Sequence, residues 1–142
     1  MNLHIPRKYI PKTLSNRDYN IQKKNIRKTR KMYKRKQYIN RPKLKSFRSK
    51  SSPHVEKAKK MYGVEKIVPS KALAKATKCS IKGLRRITKK GRGAYYSSGS
   101  RPNQTAQSWA RARLASSITH GKAAKVDMHI LKEECHPSSK VF

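Results

Sequence analysis

The strongest constraint on this chain is its excess of positive charge. Its 142 residues include 38 Lys and Arg but only 6 Asp and Glu, which gives a formal net charge of +32. A compact globule with this charge repels itself unless an anionic partner neutralises it. We therefore expect a non-enzymatic protein that is bound to nucleic acid or built into a large assembly. The charge by itself does not choose between those two classes of partner.

The charge is distributed unevenly along the chain. Residues 1–50 hold 18 Lys and Arg and a single acid, Asp18, whereas residues 51–142 hold 20 Lys and Arg and five acids. The apolar residues of the first part are sparse, so burying them cannot offset the entropy lost on folding. We therefore predict a long, extended basic N-terminal arm over residues 1–52, ordered only against a partner, and a small helical domain over residues 53–142.

The most basic part of the arm has nine cations within residues 23–36. Lys and Arg at this density neutralise phosphates and release counterions, and the interleaved Tyr33 and Tyr38 would stack on the bases of a single strand. Residues 20–38 are expected to become helical on the partner. An acidic groove between protein subunits and a passive solvated tail are the alternatives. The predicted binding residues are Lys23, Lys24, Arg27, Lys28, Arg30, Lys31, Lys34, Arg35 and Lys36.

Capping residues predict a mainly α domain of four or five short helices after residue 52. Ser70 and Ser80 are good N-caps, and Gly63, the pair Gly91 and Gly93, and Gly121 are expected to end helices. Strand alternation and internal repeats are absent from the sequence. The predicted helices cover residues 53–62, 71–77, 80–90, 105–119 and 123–134.

The helix over residues 105–119 is predicted to supply the centre of the core. Its Trp109 is interpreted as the anchor that packs with Leu114 and Ile118 on one broad apolar face. In the last predicted helix, Asp127 near the start is favourable for the helix dipole. The apolar residues of that last helix are Val126, Ile130 and Leu131.

The loop over residues 91–105 is rich in Gly and Ser and precedes a helix N-terminus. Free backbone N–H groups at such a place bind anions, which makes four side chains candidates for an anion site. The alternative, which we favour, is that the polar groups of the loop satisfy one another and the neighbouring backbone. The candidates are Arg92, Ser98, Ser100 and Arg101.

Chemistry beyond binding has little support in the sequence. Cys79 and Cys135 form no CxxC pair and require neither a disulfide nor a metal site. His129, Cys135 and His136 make at most a weak zinc pattern, because a fourth ligand at regular spacing is missing. We predict no catalytic residue, metal or cofactor.

The sequence also lacks a secretory signal and a run of about 20 apolar residues that would span a membrane, which favours an intracellular protein.

A family resemblance adds a biological setting. The string Tyr95-Tyr-Ser-Ser-Gly-Ser-Arg-Pro-Asn-Gln-Thr105, followed by Ser108-Trp109, resembles a family of uncharacterised basic proteins from large double-stranded DNA viruses. His120 stands where that family usually has Gly. The resemblance implies a viral source but no activity and no residue roles. Other similar stretches are residues 5–11, 41–50, 112–116 and 121–127.

Charge and resemblance together lead to three functional expectations. The first is a structural virion protein, a minor capsid component that bridges capsomers through the helical domain and the arm, with other capsid proteins as partners. The second is a virion protein that condenses the viral genome by binding DNA without sequence preference. The third is a ribosomal-type RNA-binding protein, which the composition also fits.

Overall fold

The chain is mainly helical, as the capping pattern predicts. A computed structural model describes residues 4–49 and 52–142, and these form seven α-helices, one 3₁₀ turn at Arg7–Tyr9 and no strand beyond an isolated bridge between Cys79 and Cys135. The helices are α1 (Asn16–Lys34), α2 (Pro53–Tyr62), α3 (Lys71–Thr77), α4 (Ile81–Ser97), α5 (Ala106–Ile118), α6 (Lys122–Val126) and α7 (Met128–Glu134).

The chain divides into two compact units. The first unit joins Met1–Lys50 with Arg92–Trp109, and the second joins Ser51–Gly91 with Ala110–Phe142. Residues 92–109 therefore belong to the same unit as the N-terminal residues, although no local sequence pattern links the two segments. The domain boundary after residue 52 stays a prediction.

The N-terminal residues are folded rather than extended. Ser15 caps α1 by accepting a hydrogen bond from the Asp18 N–H at 3.1 Å, as N-cap serines commonly do. One side of α1 is buried, and Ile26 lies in a cluster with Ile5, Tyr9 and Ile10. The prediction of an extended arm was wrong because it weighed residues 1–50 alone, whereas residues 92–109 provide much of the surface against which they pack.

The second unit has a core made by residues from five helices. Helices α2 and α3 have the predicted bounds, with Gly63 in the left-handed conformation after α2 and the Ser70 hydroxyl capping α3. The Ser80 hydroxyl accepts a hydrogen bond from the Gly83 N–H at 3.0 Å at the start of α4. The largest fully buried side chains of this core are Ile67, Leu73, Leu84, Ile87, Leu114, Ile118, Ile130, Leu131 and Val141.

Helix α4 continues through both glycines that were expected to stop it. Gly91 and Gly93 lie inside the helix, which extends to Ser97. A Cβ atom at Gly91 would lie 2.7 Å from the Ala110 Cα. This glycine is therefore explained by the close approach of two helix backbones and not by a helix end.

Trp109 does not pack with Leu114 and Ile118. Those two residues are fully buried in the core of the second unit, whereas Trp109 belongs to the first unit and contacts the cluster around Ile26. Its ring meets the Tyr9 ring edge-to-face at 5.8 Å. The prediction was wrong because nine residues of α-helix are two and a half turns, which places Trp109 and Ile118 on opposite sides of α5.

The predicted last helix is interrupted at Asp127. Two short helices, α6 and α7, replace the single helix over residues 123–134. The Asp127 carboxylate is fully buried and accepts hydrogen bonds from Arg113 at 2.8 and 3.1 Å and from Ser117 at 2.6 Å. Val126 is 60% exposed, so it is not part of the core that it was expected to join.

Candidate functional site

Most cations of α1 lie on the side of the helix that faces solvent. They recur at steps of three or four residues, which places them on one face of an α-helix. The buried residues Gln22, Ile26 and Thr29 lie on the opposite face. We call the exposed set the basic stripe, and it consists of Arg17, Lys24, Arg27, Lys28, Lys31, Lys34 and the following Arg35.

The buried face of α1 explains why the stripe is turned outward. The Gln22 side chain donates hydrogen bonds to the Tyr9 carbonyl at 3.3 Å and to the Ser100 carbonyl at 3.5 Å. Ile26 is fully buried, and Thr29 donates to the Asn25 carbonyl at 2.7 Å. Polar and apolar contacts on this face therefore fix the rotation of the helix about its axis.

One predicted binding residue has a different role in the structure. The Arg30 guanidinium donates hydrogen bonds to the Ser98 carbonyl at 2.7 Å and to the His4 carbonyl at 2.9 Å. These bonds engage it within the first unit. Lys23 is half-buried and lies at the edge of the stripe, and Lys36 is exposed in the turn that follows α1.

Arg41 is a buried cation outside the predicted set of binding residues. Its guanidinium lies 3.9 Å from the centre of the Tyr95 ring and donates hydrogen bonds to the Tyr95 carbonyl and the Ser100 hydroxyl. Burial lowers the pKa of this guanidinium, but Arg remains charged in proteins. No sequence signal pairs Arg41 with Tyr95, since 54 residues separate them.

The loop after α4 uses its polar groups internally. The Ser100 hydroxyl is buried between Arg41 and the Arg101 carbonyl, and the Ser98 carbonyl accepts from Arg30. Of the four candidates for an anion site, Arg92 lies within α4 and Arg101 in the loop that follows it, and both side chains are exposed. The hydrogen bonds follow the favoured alternative, in which the loop satisfies itself and neighbouring backbone.

Asn103 connects this loop to the N-terminal residues. Its amide accepts a hydrogen bond from the Leu44 N–H at 2.6 Å and donates to the carbonyls of Leu44 and Phe47 at 3.3 and 2.9 Å. Its backbone is left-handed, with φ of 64°, which Asn tolerates better than most residues. The loop therefore holds residues 44–47 in place.

Tyr33, Tyr38 and Tyr96 form an aromatic group in the first unit. The rings of Tyr33 and Tyr96 are nearly parallel with centres 6.2 Å apart, and the Tyr38 ring lies 5.8 and 5.2 Å from them. Tyr38 is 61% exposed. Tyr33 and Tyr38 are predicted stacking residues, whereas no sequence pattern links Tyr96 to them.

Two acids of the second unit, Glu133 and Glu134, contact cations and a hydroxyl of the same unit. Arg86 contacts Glu133 at 2.6 Å and Glu134 at 3.4 Å, and the hydrogen bond from Arg86 lowers the pKa of Glu133. Ser80 also binds Glu134.

Both cysteines are used in a covalent bond. Cys79 and Cys135 form a disulfide where the chain segments at the ends of α3 and α7 pair as an antiparallel bridge. Of the suggested zinc ligands, His136 contacts the Ser138 hydroxyl and His129 lies 3.5 Å from Lys90. The described part of the chain contains no group of three side chains able to hold a metal ion.

A membrane-spanning helix is absent from residues 4–49 and 52–142, since none of their helices has the length and apolar character that this requires.

Comparison with known proteins identifies the family. No curated protein and no solved structure matches the chain. A family model matches residues 6–133, which include most of both units. This chain therefore belongs to the family of unknown function DUF5824.

Proposed function

We propose that this chain is a non-enzymatic protein that binds nucleic acid without sequence preference through the basic stripe of α1. The observation that carries the proposal is the arrangement of seven exposed cations on one helix face, opposite a buried face. From Arg17 to Arg35 the helix rises about 27 Å. A surface of that length can contact several phosphates of one nucleic-acid backbone.

The charge balance of the first unit supports a polyanionic partner. Residues 1–50 and 92–109 hold 20 Lys and Arg and one acid, Asp18. The Asp18 carboxylate accepts hydrogen bonds from the N–H and the hydroxyl of Ser46, and the hydroxyl bond lowers its pKa. Because a single carboxylate cannot neutralise 20 cations, the counter-charge must come from outside this unit. Phosphates provide it without the need for base-specific contacts.

The structure also weakens one reason for preferring a protein partner. An extended arm would need another molecule along its whole length to be ordered. Here the loop and helix residues 92–109 order the N-terminal residues instead. A partner is then needed only to neutralise the exposed cations of the basic stripe, and not to order the N-terminal residues.

Because of the resemblance to basic proteins of large double-stranded DNA viruses, we propose that this activity belongs to a virus particle, where the chain would contact the packaged genome. A minor capsid component is our second proposal. The observation that favours it is the same basic stripe, which would equally face an acidic surface of coat protein. The first proposal predicts strong DNA binding by the purified chain, and the second does not require it.

The test replaces four cations of the stripe by glutamine: Lys24, Arg27, Lys28 and Lys31. Wild-type affinity for DNA should fall on the order of 10³-fold between 50 and 200 mM salt. In a plot of the logarithm of affinity against the logarithm of salt concentration, the slope of the variant should be shallower by roughly 0.9 for each phosphate contact that is lost. Fluorescence anisotropy with a labelled oligonucleotide across this salt range measures both quantities.

The control carries the same change in net charge on the second unit. It replaces the exposed residues Lys60, Lys71, Lys75 and Lys125 by glutamine. The control should keep nearly all of the salt dependence. Equal losses in the two variants would show that net charge alone drives binding, and no salt dependence in the wild type would remove the proposal in favour of a protein partner.

A further inference from the structure

The tyrosine group of the first unit leaves one of its aromatic side chains, Tyr38, largely exposed to solvent. Tyr33 lies in the last turn of α1 and Tyr96 in the last turn of α4. The Tyr38 ring lies beside both rings and is tilted by 58° and 50° relative to them. More than half of the surface of Tyr38 remains exposed, although aromatic side chains in folded proteins usually bury a large area.

The position of Tyr38 is set by a defined turn. After α1 ends, the N–H of Gln37 donates to the Met32 carbonyl at 2.9 Å and the N–H of Lys36 donates to the Tyr33 carbonyl at 2.9 Å. Lys36 is left-handed, with φ of 59°. This pattern is a Schellman motif, which reverses the chain and returns Tyr38 to the face of Tyr33.

The inner side of the group is also anchored. Tyr95 is fully buried and meets the Tyr96 ring edge-to-face at 5.2 Å. The Tyr95 hydroxyl accepts a hydrogen bond from the Arg41 N–H at 2.8 Å. Tyr96, which lies next to the exposed Tyr38, is therefore packed against a buried side chain that is itself held by a hydrogen bond.

Three cations lie close in sequence to the tyrosines of this group. Arg35 and Lys36 occupy the turn between Tyr33 and Tyr38, and Arg92 precedes Tyr96 by one turn of α4. All three cations are exposed. Aromatic faces next to cations are the combination that binds single-stranded nucleic acid, because bases stack on the rings while phosphates meet the cations.

We propose that Tyr33, Tyr38 and Tyr96 form a stacking platform for unpaired bases, so that the preferred ligand is single-stranded nucleic acid. This inference rests on the proposed binding of nucleic acid by the basic stripe and narrows its substrate. In a duplex the base faces are already stacked on one another, so a duplex would use only the cations.

The test compares Tyr38→Leu, which keeps apolar bulk but removes the aromatic face, with Tyr38→Trp, which keeps a stacking surface. The probes are a 30-nucleotide thymidine strand, the corresponding uridine strand, a 30-nucleotide abasic strand and a 30-base-pair duplex. We expect Tyr38→Leu to bind one or both base-containing strands about 5- to 150-fold more weakly. Its binding to the abasic strand and the duplex should be unchanged, and Tyr38→Trp should bind like the wild type.

The outcomes separate this inference from the proposed function. If the wild type binds all probes equally and Tyr38→Leu has no effect, the stripe still binds nucleic acid and the platform is wrong. If the wild type binds no probe, the proposed function itself fails. Equal weakening on the abasic strand would also overturn the inference, since stacking needs bases. Circular dichroism of each variant checks that the helices are intact.

Discussion

At the scale of single residues, two glycines of α4 have opposite roles. A Cβ at Gly91 would lie 2.7 Å from the Ala110 Cα and 3.3 Å from the Arg113 Cβ, so a side chain has no space there. A Cβ at Gly93 would meet only the Tyr33 hydroxyl, at 3.7 Å, which is an ordinary contact. Glycine is required at the first position by packing and only lowers helix stability at the second.

We therefore expect opposite effects from the same substitution. Gly91→Ala should lower the free energy of unfolding by about 1–3 kcal/mol, because the extra methyl forces two helix backbones apart. Gly93→Ala should raise it by about 0.5–1 kcal/mol, because alanine loses less backbone entropy in a helix. Urea unfolding followed by circular dichroism measures both. Stabilisation by Gly91→Ala would contradict the close approach of α4 to Ala110.

At the scale of an element, the C-terminal end of α5 depends on side chains from α2. The Tyr62 hydroxyl donates to the Ile118 carbonyl at 2.5 Å, and the Lys57 ammonium donates to the Thr119 carbonyl at 3.2 Å. These bonds satisfy carbonyls that have no partner inside the helix. Burial raises the pKa of Tyr62 to about 12, so the folded state favours the protonated hydroxyl.

This arrangement predicts a pH-dependent effect of Tyr62→Phe. Below pH 10 the variant should be less stable by about 0.5–1.5 kcal/mol, the usual contribution of one hydrogen bond. Because the folded pKa is raised, the contribution of Tyr62 is fully present below its unfolded pKa near 10 and is lost as the pH rises towards 12. The difference in unfolding free energy between wild type and variant should therefore shrink over that range.

Thermal unfolding of both proteins at pH 8, 9, 10 and 11 tests this expectation. Deprotonation of the lysines affects both proteins equally, so only the difference between them is informative. A constant difference across the range would mean that Tyr62 does not titrate with a raised pKa.

At the scale of the whole molecule, the N-terminal residues and residues 92–109 form one unit and the remaining residues form another. Each unit has its own group of buried side chains, one around Ile26 and one around Leu84 and Leu114. Asn103 and Arg41 link segments that are distant in sequence but belong to the same unit. Local opening of the first unit is therefore expected to be separable from opening of the second.

Asn103→Gly tests this separation. Glycine keeps the left-handed backbone but removes all three hydrogen bonds to Leu44 and Phe47. Amide hydrogen exchange within residues 4–49 should become on the order of 10-fold faster or more, which corresponds to a loss of at least about 1.4 kcal/mol. Amides in α2 and α7 should exchange as in the wild type. A uniform increase through both units would show that they open together.

Several features of this protein follow from its amino-acid sequence alone. Local signals such as Pro53, Gly63 and Ser70 act within one or two turns of their own position, so they predicted the bounds of α2 and α3 correctly. The net charge of +32 likewise follows from the sequence, because it is a sum that needs no fold. Binding of a polyanion stays a prediction. The expected structural role in a virus particle stays a prediction.

Tertiary structure decided which surfaces those residues occupy. Gly91 has the sequence signature of a helix end, yet it lies inside α4. Glycine is needed there because the Ala110 backbone comes too close to leave space for a side chain. Arg30 and Arg41 are cations in a strongly basic segment and so look like binding residues. Their guanidinium groups instead donate hydrogen bonds to carbonyls and a hydroxyl of residues more than 20 positions away in the chain. Such pairings depend on contacts between distant segments, and neither periodicity nor capping within a short window contains that information. The sequence therefore determined the charge and the local helices, and only the packing of residues 92–109 with the N-terminal residues decided which cations face solvent.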